Sequence, residues 1–134
     1  VDAINDRQCG PEVSKEIARR LGFALAKIEG VGGVLVSSRD GAVLDANGHI
    51  DPARDAALTS FLGSRAEALS IDSDLRGMGR MLAGSKLESI TLSGPSGDSI
   101  LLPAGSAYLF VPLVPGRAAA SIGPVAASTA RRYL

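Results

Sequence analysis

The run AYLFVPLV, Ala107 to Val114, restricts the fold of this chain more than any other stretch. Nearly every position in it is apolar, with no polar residue recurring at every second place, so a strand built from it has both faces buried. Such a strand sits in the middle of a sheet, with helices on both sides. Pro112 falls near its end, where a missing N–H matters least.

Two further strands precede it. Lys86 to Ser93 and Ser99 to Ala104 are separated by Gly94-Pro95-Ser96-Gly97, and Ala104-Gly105-Ser106 leads into the last strand, so the three form a meander. The first alternates strictly, Leu87, Ser89, Thr91 and Ser93 against Glu88, Ile90 and Leu92, which suits a half-buried edge. No proline inside it blocks the addition of another strand. Nearer the N-terminus, Val34 to Ser38 and Ala42 to Ala46 flank Asp40-Gly41, a pair that tolerates the positive φ of a tight hairpin turn. Gly30, Gly32 and Gly33 lead into this hairpin and Asn47-Gly48 lead out of it.

Helices fill the remaining segments. Val13, Ile17, Leu21, Ala24 or Leu25, and Ile28 recur at helical spacing up to a stop at Glu29-Gly30. A long helix starts with Asp51 as N-cap and Pro52 at its first position. Along it, Ala57, Phe61, Ser64, Ala68, Ile71, Leu75, Met78 and Leu82 form a stripe expected to lie on the sheet, while Gly77 and Gly79 weaken its last turns. Leu58, Leu62, Arg65 and Leu69 form a second stripe that one domain does not need, and it is expected to face a partner. A third helix runs from a Ser121 cap, with Pro124 in its first turn, to Leu134. The expected fold is α+β: a five-stranded antiparallel sheet flanked by helices in the order α-β-β-α-β-β-β-α, with the last strand between the hairpin and the rest of the meander.

At 134 residues the chain reads as one domain over residues 11–134, preceded by a poorly ordered segment 1–10. Fourteen basic residues balance fourteen acidic ones, so the chain has no net field to attract nucleic acid or an anionic membrane. The lone Cys9 excludes an internal disulfide, and no apolar run approaches a membrane span, so the expected location is the cytoplasm. Motifs that would carry chemistry fail one by one. GRMLAGSK, Gly79 to Lys86, has phosphate-loop glycines but ends Ser-Lys and runs from helix to strand. Gly30, Gly32 and Gly33 follow a helix and precede a strand, the reverse of a dinucleotide fingerprint. His49 is the only histidine and has no nucleophile turn to serve. Asp72 and Asp74 point to different sides of a helix and have no third ligand nearby. No catalytic, cofactor-binding or metal-binding residue is therefore expected, and no cofactor.

The joint order of IEGVGGVLVSSRDGAVLDANG, DPARDAALTSFLGSRAEAL, LESITLSGPSGDSILLPAGSAYLFVPL and ASIGPVAASTARRYL resembles the Roadblock, or dynein light chain, superfamily. The likeness runs from Leu21 to Leu134 and is greatest to bacterial members of the gliding-motility protein B type. The loop PGRAAA before the last helix departs from the pattern. The resemblance implies a non-enzymatic scaffold that dimerises by joining sheet edges across a two-fold axis, with the long helices side by side. It also implies a small Ras-like GTPase as partner, whose hydrolysis some members accelerate by positioning the GTPase's own groups. On that reading Leu58, Leu62, Arg65 and Leu69 face the dimer mate or the GTPase, and Ser89 and Thr91 lie on the edge that pairs in the homodimer. The alternative is a small-molecule sensor of profilin-like or GAF-like shape, although three Phe, two Tyr and no Trp leave little aromatic lining for a pocket. A hydrolase would need a nucleophile and base that the chain does not offer.

Overall fold

In a computed structural model, residues 12–71 and 88–134 of the chain are described. The elements are α1 (Lys15–Ala26), β1 (Gly33–Ser38), β2 (Val43–Gly48), α2 (Pro52–Ile71), β3 (Ile90–Gly94), β4 (Gly97–Ala104), β5 (Ala107–Pro112) and α3 (Ala119–Arg131). The strands form one antiparallel sheet in the order β2-β1-β5-β4-β3, so the apolar run is the central strand, as its composition requires. The expected order of elements and the expected position of β5 are both observed.

Alternation along the strands divides the core in two. Val34, Val36, Ile100, Leu102, Leu109 and Val111 point to the face covered by α1 and α3, where Leu21, Leu25, Ile122 and Ala126 close over them. Leu35 and Phe110 point to the face of α2, joined by Ala56 and the half-buried Ile50 and Leu92. The first face carries the larger share of burial, at about 2 kcal/mol for each fully buried Leu or Ile.

Local chemistry sets the element ends. The Ser14 hydroxyl caps α1 by accepting from Ile17 N–H at 3.2 Å, and Val13 N–H donates to the Ser106 hydroxyl at 2.8 Å, tying the helix start to the β4–β5 turn. At the open end of the hairpin Gly33 lies opposite Gly48. A Cβ on Gly33 would stand 3.0 Å from the His49 backbone, and Gly48 has φ +81°; the glycines are there because two backbones meet closely. At α2, Asp55 N–H donates to the Asp51 carbonyl at 2.8 Å, and Asp51 N–H returns a bond to the Asp55 carboxylate at 3.0 Å.

Some boundaries shift from expectation. β2 extends to Gly48 because Asn47 and Gly48 pair with Val34 and Gly33. α3 begins at Ala119, not Ser121, with Ala118 as an N-cap that makes no side-chain bond. Burial of Ala119 and Ile122 against the sheet draws the first turn in, which leaves Pro124 inside the helix. β3 begins at Ile90: Glu88 and Ser89, expected inside the strand, precede it, because pairing with β4 starts only at Ile90 opposite Leu101. Lys86 and Leu87 of the expected strand, the segment 1–10, and Leu75, Met78 and Leu82 of the long helix lie outside the described residues.

The larger correction concerns the face of α2. Phe61, expected in the core stripe, is 56% exposed, and Ala57, Ser64 and Ala68 are exposed too. The helix rests on the sheet through Ala56, Thr59 and Gly63 instead, all buried. The cause is Tyr108 of β5, whose fully buried ring fills the space between sheet and helix. A Cβ on Gly63 would stand 2.6 Å from Tyr108 Cζ, so only glycine allows this approach. Gly63→Ala sets a helix-propensity gain of about 1 kcal/mol against an overpacking cost of about 1–3 kcal/mol. A lower melting temperature is the expected result, because a buried ring has little room to move; a rise would contradict this packing.

Candidate functional site

With the small residues facing inward, α2 turns its large side chains outward. Leu58 is 41% exposed and Phe61 56%. Arg65 is exposed and lays its guanidinium over the Phe61 ring at 5.1 Å, and Leu62 is half-buried beside them. Positions 58, 61, 62 and 65 share one side of a helix. The side chain of Leu69, one turn later, lies outside what the structure describes. An open depression of about 450 Å³ adjoins this face, lined by Asp40 and Gly41 of the hairpin turn and by Ser60, Phe61, Ser64 and Arg65. A hydrogen bond from the Ser38 hydroxyl, reinforced by backbone N–H groups, holds the Asp40 carboxyl below its usual range. The depression therefore has a carboxylate on one rim and a guanidinium on the other.

A polar cluster supports this surface from beneath. Arg39 donates to the Gly105 carbonyl at 2.9 Å and to the Tyr108 hydroxyl at 3.1 Å, and it pairs with Glu67 of α2, to which the Tyr108 hydroxyl also donates. The Ser60 hydroxyl donates to the Arg39 carbonyl at 2.6 Å. One arginine thus joins the hairpin turn, the β4–β5 turn and the helix that carries Phe61. Periodicity has no means of revealing this cluster, since Arg39, Glu67 and Tyr108 stand far apart in sequence. Burial, followed by the Glu67 hydrogen bond, pushes the Tyr108 phenol up to about 12.

The second candidate surface is the outer edge of β3. Counting from the Gly94–Gly97 pair that closes the two-residue turn, hydrogen-bonded pairs alternate with unbonded ones. The N–H groups of Thr91 and Ser93 therefore point to the free edge. The exposed side chains of Ser89 and Thr91 line a groove of about 780 Å³ on the α3 side of the sheet. Ile90 and Leu92 are half-buried, and Leu92 packs on the α2 side. Within one chain, then, Ser89 and Thr91 do not meet Leu58, Leu62 and Arg65, because the sheet lies between them. Sequence periodicity misplaced Ala57, Phe61, Ser64 and Ala68, of which Phe61 is the large one. The sign available in the sequence was Gly63, a glycine in mid-helix two positions later.

Among the described residues no group of three His, Cys, Asp or Glu side chains could hold a metal ion, and His49 is exposed in the loop after β2. No described helix is long and apolar enough to cross a membrane. Cys9, Asp72, Asp74 and the GRMLAGSK stretch lie outside the described residues.

No family model matches the chain, and no curated protein does. Solved structures do. A Roadblock/LC7 domain from Streptomyces avermitilis superposes with a TM-score of 0.68 at 21% identity, over 84% of this chain and 91% of that one. The gliding protein MglB of Thermus thermophilus gives 0.64 at 16% identity, over 92% of each chain. An MglB in a tetrameric arrangement gives 0.59 at 17% identity, over 92% of this chain and 94% of that one. The chain has the Roadblock/LC7 fold.

A raised phenol pKa contributes stability that is complete below the ordinary value of 10.0 and is lost as pH rises through about 12. In a Tyr133→Phe background the Tyr108 phenol is the one tyrosine left to titrate, and ultraviolet absorbance should place its ionisation near 12, together with alkaline unfolding. Ionisation near the ordinary 10.0 without loss of fold would contradict the buried cluster.

Proposed function

We propose that this protein is a non-enzymatic, dimeric regulator of a small Ras-like GTPase in the bacterial cytoplasm, acting as a GTPase-activating scaffold. The observation that carries the reading is the outward face of α2. A helix that meets its own sheet through Ala56, Thr59 and Gly63 while exposing Leu58 and Phe61 has its apolar side turned to something else. The likeness in fold to Roadblock/LC7 domains and gliding MglB proteins supports this choice of partner. In this account the β3 edges of two copies pair across a two-fold axis, bringing the two α2 helices alongside each other. Leu58, Phe61, Leu62, Arg65 and Leu69 then form a continuous, mainly apolar strip for the dimer mate and the GTPase. Ser89 and Thr91 belong to the pairing edge. Activation would come from positioning groups of the GTPase itself. A sensor with its ligand between sheet and helix is disfavoured because the Tyr108 ring against Gly63 occupies that space.

Two measurements test the proposal. Leu58→Glu combined with Phe61→Glu should melt within about 0.5 kcal/mol of the parent, since both sites are surface positions. The same variant should bind an immobilised GTP-loaded Ras-like GTPase at least about 30-fold more weakly, the equivalent of ~2 kcal/mol. Normal binding by the variant, or no binding by the parent, would sink the reading. Thr91→Pro removes an edge-facing N–H without breaking the ladder to β4, so light scattering should show a monomer where the parent is a dimer. A parent that stays monomeric at high concentration would rule out the pairing.

A further inference from the structure

The sheet has two edges, and they are built differently. β3 pairs with β4 in unbroken register from Ile90 to Gly94, and no residue within it is charged. β2, at the other edge, carries a bulge: Val36 faces Asp45 but Ser37 faces Val43, so Leu44 is an extra residue on the outer strand. Asp45 stands in the middle of β2, its carboxylate turned under α1. A Cβ on Gly22 would meet its Oδ2, so the carboxylate lies against the helix where glycine leaves it room. None of the described residues donates a hydrogen bond to it. Desolvation raises its carboxyl above the usual range, with Arg19 of α1 pulling the other way.

A carboxylate placed this way is partly desolvated with only the Arg19 charge to offset the cost, so an apolar or amide side chain is expected to sit there at least as well. It does oppose one event. If β2 paired with β2 of another copy about a two-fold axis, the axis would pass near the strand centre and Asp45 would lie beside its own symmetry mate, two like charges deprived of further solvent. The bulge bends the same strand away from a straight neighbour. We infer that Asp45 and the bulge beside it close the β2 edge to a second copy of this chain, so that sheet-to-sheet assembly proceeds through β3 alone and stops at a closed particle. This goes beyond the GTPase reading; its statement about β3 rests on the edge pairing proposed above, whereas the role of β2 is tested separately.

The test compares the full chain with Asp45→Val, Asp45→Asn and Asp45→Lys by sedimentation velocity over a concentration series, with melting curves alongside. Asp45→Val and Asp45→Asn should melt no lower than the parent and form larger, concentration-dependent species, at least doubling the average mass. Asp45→Lys should keep the parent's mass. In a Thr91→Pro background, where β3 is blocked, Asp45→Val should restore a dimer that Thr91→Pro alone lacks. A parental mass for Asp45→Val at every concentration would overturn the inference. So would a lower melting temperature for Asp45→Asn, which would make Asp45 a structural residue. If Thr91→Pro fails to dissociate the parent, the β3 dimer is wrong, and the comparison of Asp45 variants with the parent still decides the role of β2.

Discussion

The contact between the Tyr108 ring and Gly63 determines more of this structure than any other. Because β5 is buried on both sides, the Tyr108 ring beneath the middle of α2 has to be accommodated between sheet and helix. Gly63 makes room by having no side chain, and Ala56 and Thr59 continue the same narrow seam. Choosing small residues for the inner side leaves Leu58, Phe61 and Arg65 on the outer side. The apolar strip on the surface is thus a consequence of how the helix is seated.

The polar cluster and the strand edges act on that seating in different ways. Arg39 links the hairpin turn, the β4–β5 turn and α2 through bonds to Gly105, Tyr108 and Glu67, so the Asp40 rim and the Phe61 face are held as one surface. Partly buried ionic groups of this kind contribute little net stability, since desolvation offsets their attraction, but they do fix geometry. At the sheet edges the contrast is between an uncharged, regular β3 and a bulged, charged β2.

Much of the fold was legible in the sequence because its signals were local. AYLFVPLV identified the central strand, Asp40-Gly41 the hairpin turn, and Gly94 to Gly97 the turn before β4, and each is found where expected. The face of the long helix was not legible in the same way. Ala57, Phe61, Ser64 and Ala68 have helical spacing, but only one of them is large, and spacing alone cannot tell which side a neighbouring strand leaves free. That choice was made by Tyr108, far away in sequence. Of the second stripe, Leu58 and Arg65 are exposed and Leu62 is half-buried, while Thr91 lies on an edge strand and Ser89 just before it. Asp45 carried no sequence signal, because a carboxylate in a short strand looks like an ordinary solvent-facing residue until its side chain is seen beneath α1.

The central claim is that the outward face of α2 is covered in the working assembly. The chain contains its own control for this, since Phe23 on α1 is 60% exposed and Phe61 on α2 is 56% exposed. Hydroxyl-radical footprinting of the assembled protein with a bound Ras-like GTPase, read as the oxidation rate of each ring by mass spectrometry, compares them within one molecule. The account predicts strong protection of Phe61 and continued oxidation of Phe23. Equal oxidation of the two rings would contradict it.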